Sequence, residues 1–341
     1  MSKTRKKILT AVVAVIAVGL GVFLYGAWSM FGDELKAIKS LTMVEEDVYN
    51  FTFKGDYGFK GFLEQGGAKT DAEMARYIAR FLSHGYMDIP EGEPTETTVG
   101  CTSLQGKGRF ARNFDFEPKG QNIVLIRTEP DDGHKSVSTS TFAFLGFGED
   151  WHPITGLDGF AALATVYIPL DGMNDKGVCV ADLIEIDGDT VAFDTPKPDL
   201  TIVGAIRLVL DYAASVSEAT ALLAKYDVHP SIGSAHHLAI ADESRSVVVE
   251  WKGGEMHVTD TAVVTNHCIW ETRECADTQE SRQRLAKLAD RRPQSQADVL
   301  SSLQEASYKD WTLWSVIYDR TTLSGHWFSR CRWEKPITVS M

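Results

Sequence analysis

Short strand-like runs occur in two blocks along this 341-residue chain, and predicted helices lie between and around them. Predicted strands cover 122–128, 139–147, 160–168, 178–186, 237–241, 247–251, 311–319 and 336–341, and predicted helices cover 201–214, 215–226, 281–291 and 296–306. This order favours an α+β fold in which two packed sheets carry helices on their outer faces. The regular strand–helix alternation of a dinucleotide-binding domain is absent, as are GxGxxG and the phosphate-loop motif, which disfavours a nucleotide enzyme.

The first 33 residues contain an apolar run that is long enough to cross a membrane. Residues 8–28 are uncharged, and at 1.5 Å per residue they span about 31 Å, close to the thickness of a hydrocarbon core. The cations before this run, Lys3, Arg5, Lys6 and Lys7, predict a cytoplasmic N-terminus and a body outside the cytoplasm. We therefore interpret 1–33 as a membrane anchor; a cleaved signal peptide, which would leave a secreted protein, and a buried helix are the alternatives.

Residues 34–100 are too well patterned to be a linker. Thr70–Glu73 has the form of a capping box, and it precedes apolar residues at helical spacing: Met74, Tyr77, Ile78, Phe81 and Leu82. The sequence thus predicts a small helical segment before the main body, which begins at residue 101.

Charge and cysteine content narrow the classes of function. The chain has 34 Lys and Arg against 47 Asp and Glu, and its formal net charge of −13 disfavours nucleic acid as a partner. Five cysteines are too few for a disulfide scaffold, and the number is odd. Cys268 and Cys275 are spaced for a small disulfide loop, but buried thiols fit as well, and the pairing of Cys179 and Cys331 is open.

The stretch from Cys101 to Phe116 carries the chemically suggestive residues. Cys101 begins a predicted strand, and a short hairpin brings Arg112 and Asp115 back towards it. A cation at hydrogen-bond range would lower the thiol pKa and favour the thiolate. On its own, the pattern is more typical of a small buried cysteine in a sheet.

Further motifs give this stretch a family context. Cys101–Ser103 followed by Ala111–Phe116 resembles the start of the mature catalytic chain in the choloylglycine hydrolase and acid ceramidase-like family. Later matches follow in the same order: Asp171–Gly177, His237–Asp242, Val247–Glu250, Val264–Asn266 and Trp314–Asp319. The resemblance implies a four-layer αββα N-terminal-nucleophile hydrolase over residues 101–341, cleaved before Cys101 so that 34–100 becomes a separate α-subunit. An uncleaved N-terminal subdomain is the alternative.

The resemblance also implies roles for individual residues. After cleavage at Gly100–Cys101, the free α-amine of Cys101 would act as the base for its own thiol, since its reference pKa lies near neutrality. Arg112 and Asp115 match the pair beside the nucleophile, and Asn174 and Asn266 match positions that stabilise the tetrahedral oxyanion. The last site residue that the resemblance implies is an arginine. We assign it to Arg282, with Arg284 as the alternative. No cofactor or metal is implied.

The predicted function is hydrolysis of the amide bond of a small N-acyl substrate by an exported, membrane-anchored enzyme, and a homo-oligomer is common among relatives. An acyltransferase of the same family is one alternative, and a catalytically silent envelope protein that binds a lipid-like ligand is another. A metal site is disfavoured because His236 and His237 are adjacent in a strand and point to opposite faces, and because no His and Cys set has zinc spacing. His267 beside Cys268 leaves a Cys–His dyad open, and no papain-like context surrounds any cysteine.

Overall fold

Two β-sheets form the centre of the protein. The computed structural model describes residues 26, 30–85, 101–116, 122–145, 153, 159–188, 195–271 and 278–341. The strands are β1 (Thr42–Glu45), β2 (Val48–Lys54), β3 (Thr102–Gly106), β4 (Arg109–Asp115), β5 (Ile123–Glu129), β6 (Ser136–Thr141), β7 (Asp171–Asn174), β8 (Cys179–Ile184), β9 (Asp199–Thr201), β10 (Asp227–His229), β11 (His236–Ala241), β12 (Ser246–Lys252), β13 (Glu255–Asp260), β14 (Val263–Val264), β15 (Thr312–Asp319), β16 (Ser324–Ser329) and β17 (Ile337–Ser340).

One sheet has nine strands in the order β1-β2-β5-β6-β7-β8-β11-β12-β13, and the other has six in the order β14-β3-β4-β15-β16-β17. Neighbouring strands are antiparallel except for β2 and β5, which pair in parallel over seven residues. The short strands β9 and β10 form a separate parallel pair. Trp314 and Tyr318 of the six-stranded sheet donate hydrogen bonds to Asp171 of the nine-stranded sheet, so the two sheets pack face to face.

Helices cover the outer face of each sheet. They are α1 (30–40), α2 (Phe59–Glu64), α3 (Asp71–Leu82), α4 (Gly159–Thr165), α5 (Ile202–Tyr212), α6 (Val216–Leu223), α7 (Gln279–Leu288) and α8 (Gln296–Ala306). Helices α5 and α6 contact the nine-stranded sheet, whereas α7 and α8 contact the six-stranded one. The described residues therefore form an α+β fold with the layer order helix, sheet, sheet, helix.

The helix starts follow local sequence rules. Thr70 accepts a hydrogen bond from the backbone N–H of Glu73, and Ser215 does the same for Glu218, so both predicted capping boxes begin helices. Ser295 and Asp298 form a third capping box at the start of α8. These starts need only residues within one turn of each other.

Two sequence-based assignments were wrong. Residues 160–168, predicted as a strand, contain helix α4; a short apolar run fits either structure, and the alanines at 161, 162 and 164 favour the helix. The segment 34–100 is not simply helical, because β1 and β2 lie within it and β2 pairs with β5. Aromatic and polar residues alternate along 49–54, and this period of two could have revealed β2 from the sequence. Strands β1 and β2 of this segment therefore belong to the nine-stranded sheet.

Within the described residues, no helix has the length and apolar character needed to cross a bilayer. The predicted anchor at 8–28 lies outside the described residues, apart from Gly26.

Candidate active site

The hairpin of β3 and β4 brings Cys101 beside the residues predicted to accompany it. Thr102 pairs with Asn113, and Cys101 immediately precedes β3. Successive side chains of a strand point to opposite faces, so Arg112 and Phe114 lie between the sheets, whereas Asn113 and Asp115 face the helices. Consistent with this, the Asn113 amide donates to the backbone carbonyl of Leu303 in α8 at 2.8 Å.

The Arg112 guanidinium connects the Cys101 thiol to the opposite sheet. Its Nη2 lies 3.5 Å from Cys101 Sγ and 2.6 Å from the carbonyl oxygen of Asp182. Its Nη1 donates to the Asp171 carboxylate at 2.8 Å and to the Leu170 carbonyl at 2.7 Å. Because Arg112 is fully buried and bonded on three sides, it has a fixed orientation towards the thiol.

Burial, rather than Arg112, dominates the acidity of the Cys101 thiol. The side chain is 2 % exposed. Burial raises the pKa of the Cys101 thiol above its ordinary value, and the positive charge of Arg112 only partly offsets this. The sequence-based expectation of a lowered thiol pKa is therefore not met in the uncleaved chain, and the thiol needs a nearby proton acceptor to react.

Asp115 has one carboxylate oxygen bonded and one unbonded. Oδ1 accepts a hydrogen bond of 2.5 Å from Thr312 Oγ1, whereas buried Oδ2 has no hydrogen-bond partner among the described residues. The backbone carbonyl of Asp115 lies 3.9 Å from Cys101 Sγ. Burial raises the pKa of Asp115 to about 7, against the opposing effects of Thr312, Arg284 and Arg112. An incoming donor would satisfy this buried oxygen.

This raised pKa predicts a pH-dependent stability. In the uncleaved Cys101→Ala chain, folded Asp115 holds its proton up to a pH of about 7, whereas the unfolded chain releases it near 3.8. The stability that Asp115 contributes is therefore full at lower pH and lost as pH rises through about 7. Adding Asp115→Asn should reduce the fall in unfolding midpoint between about pH 5 and about pH 8. An equal fall with and without Asp115→Asn would contradict the raised pKa.

Arg284, rather than Arg282, is the α7 arginine that contacts Cys101. Its Nη1 donates at 2.6 Å to the Cys101 carbonyl and at 2.6 Å to Thr102 Oγ1, and Nη2 donates at 2.9 Å to Asn266 Oδ1. Arg282 Nε instead donates to Thr278 Oγ1 at 3.0 Å. Residues two apart on a helix do not share a face, so only one of the two arginines can point at β3.

Asn266 lies beside this arginine, after β14. Its Nδ2 donates to the Ile184 carbonyl at 2.8 Å, and its Oδ1 accepts from Arg284. A side-chain amide carries two N–H groups, so a second hydrogen of Nδ2 is available to a ligand oxygen. Asn266 is fully buried. It can therefore act as a fixed hydrogen-bond donor at this site.

The side chain of Asn174 forms its hydrogen bonds away from Cys101. Its Nδ2 donates to the carbonyls of Leu210 and Ala213 at 3.2 and 2.7 Å, and its Oδ1 accepts from the backbone N–H groups of Lys176 and Val178. The two bonds of Nδ2 join the β7–β8 turn to the end of α5, and the two bonds of Oδ1 close the turn itself. The structure thus gives Asn174 a structural environment and does not bring it together with Cys101, Arg112, Asp115 and Asn266.

We expect Asn174→Ala to lower stability and to leave the chemistry largely intact. Four hydrogen bonds are lost and buried backbone groups are left without partners, which costs about 1–3 kcal/mol for each such group. Thermal unfolding should show the loss, while the turnover number of the remaining folded protein should stay close to that of the wild type. A large fall in turnover number at unchanged stability would instead place Asn174 in the oxyanion site.

Two residues that contact the candidate site, Asp171 and Thr312, were not predicted from the sequence, and a third, Arg284, was named only as an alternative. Asp171 orients Arg112, Thr312 donates to Asp115, and Arg284 donates to the Cys101 carbonyl. Asp171 could have been noticed as a carboxylate inside an otherwise uncharged stretch, whereas nothing local distinguishes Thr312. These contacts depend on how the sheets and helices pack.

A separate buried cluster contains ligand types that metals use. Oxygen atoms of Glu185 and Glu250 and the Cys268 sulfur lie within 4.8 Å of one another. Lys252 Nζ, however, lies 2.7 Å from Glu185 Oε1, so a protein cation already neutralises part of the cluster.

The side chain of His267 hydrogen-bonds to Ser281 and Thr265. None of the described cysteines forms a disulfide, and Cys275 lies outside the described residues.

Comparison with known proteins shows one family match. Residues 103–322, more than half of the chain, match the family model described as AAT: Acyl-coenzyme A:6-aminopenicillanic acid acyl-transferase. No curated protein sequence matches the chain.

Solved structures that are similar to this chain include an acylase, a hydrolase and an amidase. Penicillin V acylase from Agrobacterium tumefaciens is 19% identical, with a TM-score of 0.48 over 70% of this chain and 84% of that one. A mutant conjugated bile acid hydrolase from Clostridium perfringens is 13% identical, with a TM-score of 0.47 over 72% and 92%. An ortholog of N-acylethanolamine-hydrolyzing acid amidase from Caenorhabditis elegans is 14% identical, with a TM-score of 0.42 over 65% and 92%.

Proposed function

The chain belongs to the acyl-coenzyme A:6-aminopenicillanic acid acyl-transferase family, and on this premise we propose that it is a cysteine amidohydrolase of the N-terminal-nucleophile class. In this proposal, the chain cleaves its own Gly100–Cys101 bond, and the new Cys101 N-terminus then hydrolyses the amide bond of an N-acyl substrate through a thioester.

The unbonded oxygen of Asp115 is the observation that carries the proposal. A buried carboxylate oxygen without a hydrogen-bond donor lowers the stability of the fold. Asp115 lies one residue beyond the β4 position that is opposite Cys101 when the β3–β4 register is extended by one pair. The α-amine released by cleavage at Cys101 would supply the missing donor. The same amine would accept the proton that the buried thiol retains in the uncleaved chain.

The residues around Cys101 support each step of acyl transfer. The α-amine takes the thiol proton, and the sulfur attacks the amide carbonyl while Arg112 stabilises the thiolate. The tetrahedral oxyanion receives a hydrogen bond from the second N–H of Asn266. The C–N bond then breaks, the leaving amine takes the proton from the α-ammonium, and a thioester remains. Water, deprotonated by the same amine, attacks the thioester, and the C–S bond breaks to release the acid and regenerate the thiol.

An apolar acyl group fits the surroundings of the thiol. Phe114 lies on the same face of β4 as Arg112 and stacks on Trp314 with ring centroids 4.0 Å apart. Phe116 extends the row, 5.5 Å from Phe114. We infer that this aromatic row favours an apolar acyl chain over a charged one.

Acyl transfer to an amine is the second candidate function, because the matching family is described as an acyl-transferase. In that case an amine would attack the thioester in place of water. Location outside the cytoplasm through residues 1–33 and assembly as a homo-oligomer remain predictions from the sequence.

A panel of N-acyl aminocoumarins, from acetyl to palmitoyl, tests the proposal directly. We expect release of the fluorescent amine by the wild type and labelling of Cys101 by iodoacetamide. Adding 6-aminopenicillanic acid separates the two activities, since an acyltransferase forms the new amide at the expense of the free acid. No turnover, an uncleaved chain and an unlabelled thiol together would favour a silent ligand-binding protein.

A further inference from the structure

A buried carboxylate on β12 holds the segment that begins with Asn266. Glu250 is fully buried, and its Oε1 accepts from the backbone N–H of Ile269 at 2.7 Å. Its Oε2 accepts from the N–H of Trp270 at 2.8 Å, and His237 Nδ1 lies 3.3 Å from Oε1. One side chain therefore fixes two consecutive peptide groups of the loop 266–270.

The other side of this loop is bonded to the end of β8. The Cys268 N–H donates to Asp187 Oδ1 at 2.8 Å, and the Ile186 N–H donates to the Asn266 carbonyl at 2.9 Å. The amide of Asn266 itself donates to the Ile184 carbonyl. The loop is thus held between β8 and β12, and the position of Asn266 depends on both attachments.

The ionisation state of the Glu250 carboxyl group favours this arrangement. Burial opposes ionisation, but the hydrogen bonds from His237, Ile269 and Trp270 hold the pKa of Glu250 below its ordinary value. The carboxylate is therefore charged at neutral pH and can accept from both N–H groups at once. A glutamine of the same shape has only one acceptor oxygen, so it cannot replace both bonds.

We infer that Glu250 is a positioning residue for catalysis: it fixes the loop 266–270 so that the Asn266 amide points at the oxyanion formed next to Cys101. The inference rests on the proposed function. Glu250 does not touch the reacting atoms, and it acts only through Asn266. A misplacement of about 1 Å in such a donor can cost about 100-fold in rate.

The test compares Glu250→Gln with a matched control on the same hairpin. Asp242 also accepts from backbone N–H groups, those of Val216, Ser244 and Arg245, but not from the Asn266 loop. With an acyl aminocoumarin as the probe, we expect the turnover number of Glu250→Gln to fall about 10- to 100-fold with KM little changed. Asp242→Asn should keep the wild-type turnover number although it loses stability.

Two further measurements separate positioning from general damage. Alkylation of Cys101 by iodoacetamide forms no oxyanion, so its rate should be unchanged in Glu250→Gln. Asn266→Ala should lower the turnover number by about 10²- to 10³-fold, and adding Glu250→Gln should cause no further loss, because both changes remove the same donor. Additive losses, or equal falls in alkylation and turnover, would overturn the inference.

Trp270 offers a second route should Glu250→Gln fail to fold. Its side chain is 55 % exposed, and only its backbone N–H reaches Glu250. Trp270→Pro removes that N–H, whereas Trp270→Ala keeps it. We expect a lower turnover number only for the proline variant, and equal values would overturn the inference. Failure of the proposed function is distinguishable, since the wild type would then neither turn over the probe nor react at Cys101.

Discussion

Cys101→Ala should abolish both self-cleavage and amide turnover, while leaving the protein folded. Both reactions require the same sulfur to attack a carbonyl carbon, and alanine offers no nucleophile. The side chain is buried and makes few bonds, so its loss creates only a small cavity. Intact mass measurement should show two chains for the wild type, the second running from Cys101 to Met341, and one chain for the variant.

The variant Cys101→Ser tests the same mechanism, because it replaces the thiol by another nucleophile. A hydroxyl is a weaker nucleophile than a thiol at neutral pH, so we expect slow cleavage and loss of most turnover. Cleavage of the Cys101→Ala chain at the same site would mean that an external protease acts there. Wild-type turnover by Cys101→Ala would show that the mechanism proposed here is wrong.

Arg284→Ala should lower kcat/KM by about 100-fold or more, whereas Arg282→Ala should have little effect. Arg284 donates to the Cys101 carbonyl, Thr102 and Asn266 at once, so its removal frees both the nucleophile residue and the oxyanion donor. Arg282 is directed at Thr278 within its own helix. The two variants differ by two positions on α7 and remove the same functional group, so each serves as the control of the other.

Stability must be measured alongside, because the loss of Arg284 leaves buried acceptors without donors. Arg284→Lys distinguishes charge from geometry, since an ammonium on a flexible stem cannot reproduce the planar set of three contacts. We expect the lysine variant to stay well below the wild type in activity. Equal losses for Arg282→Ala and Arg284→Ala would contradict the assignment of Arg284 to the site.

Local chemistry explains which elements could be predicted from sequence. Helices α3, α6 and α8 begin at Ser or Thr caps whose partners are three residues away, and β11 and β12 form a hairpin across a short turn. The wrong secondary-structure predictions concern runs of residues whose pattern fits both a helix and a strand. Residues 160–168 are mostly apolar, which fits a strand or a helix, and the alanines at 161, 162 and 164 together with packing select helix α4.

The sequence by itself determined the proposed nucleophile and the neighbours that lie closest to it. Cys101, Arg112 and Asp115 lie on one hairpin, so strand register alone brings them together. Only the tertiary structure decided which distant groups complete the site: Arg284 over Arg282, Asn266 without Asn174, and the unexpected Asp171 and Thr312. The reason is physical. A helix that is distant from the motif in sequence can present either of two faces to the sheet on which it packs. Burial, which raises the pKa of the Cys101 thiol, is likewise a property of the packed layers and not of any local run of residues.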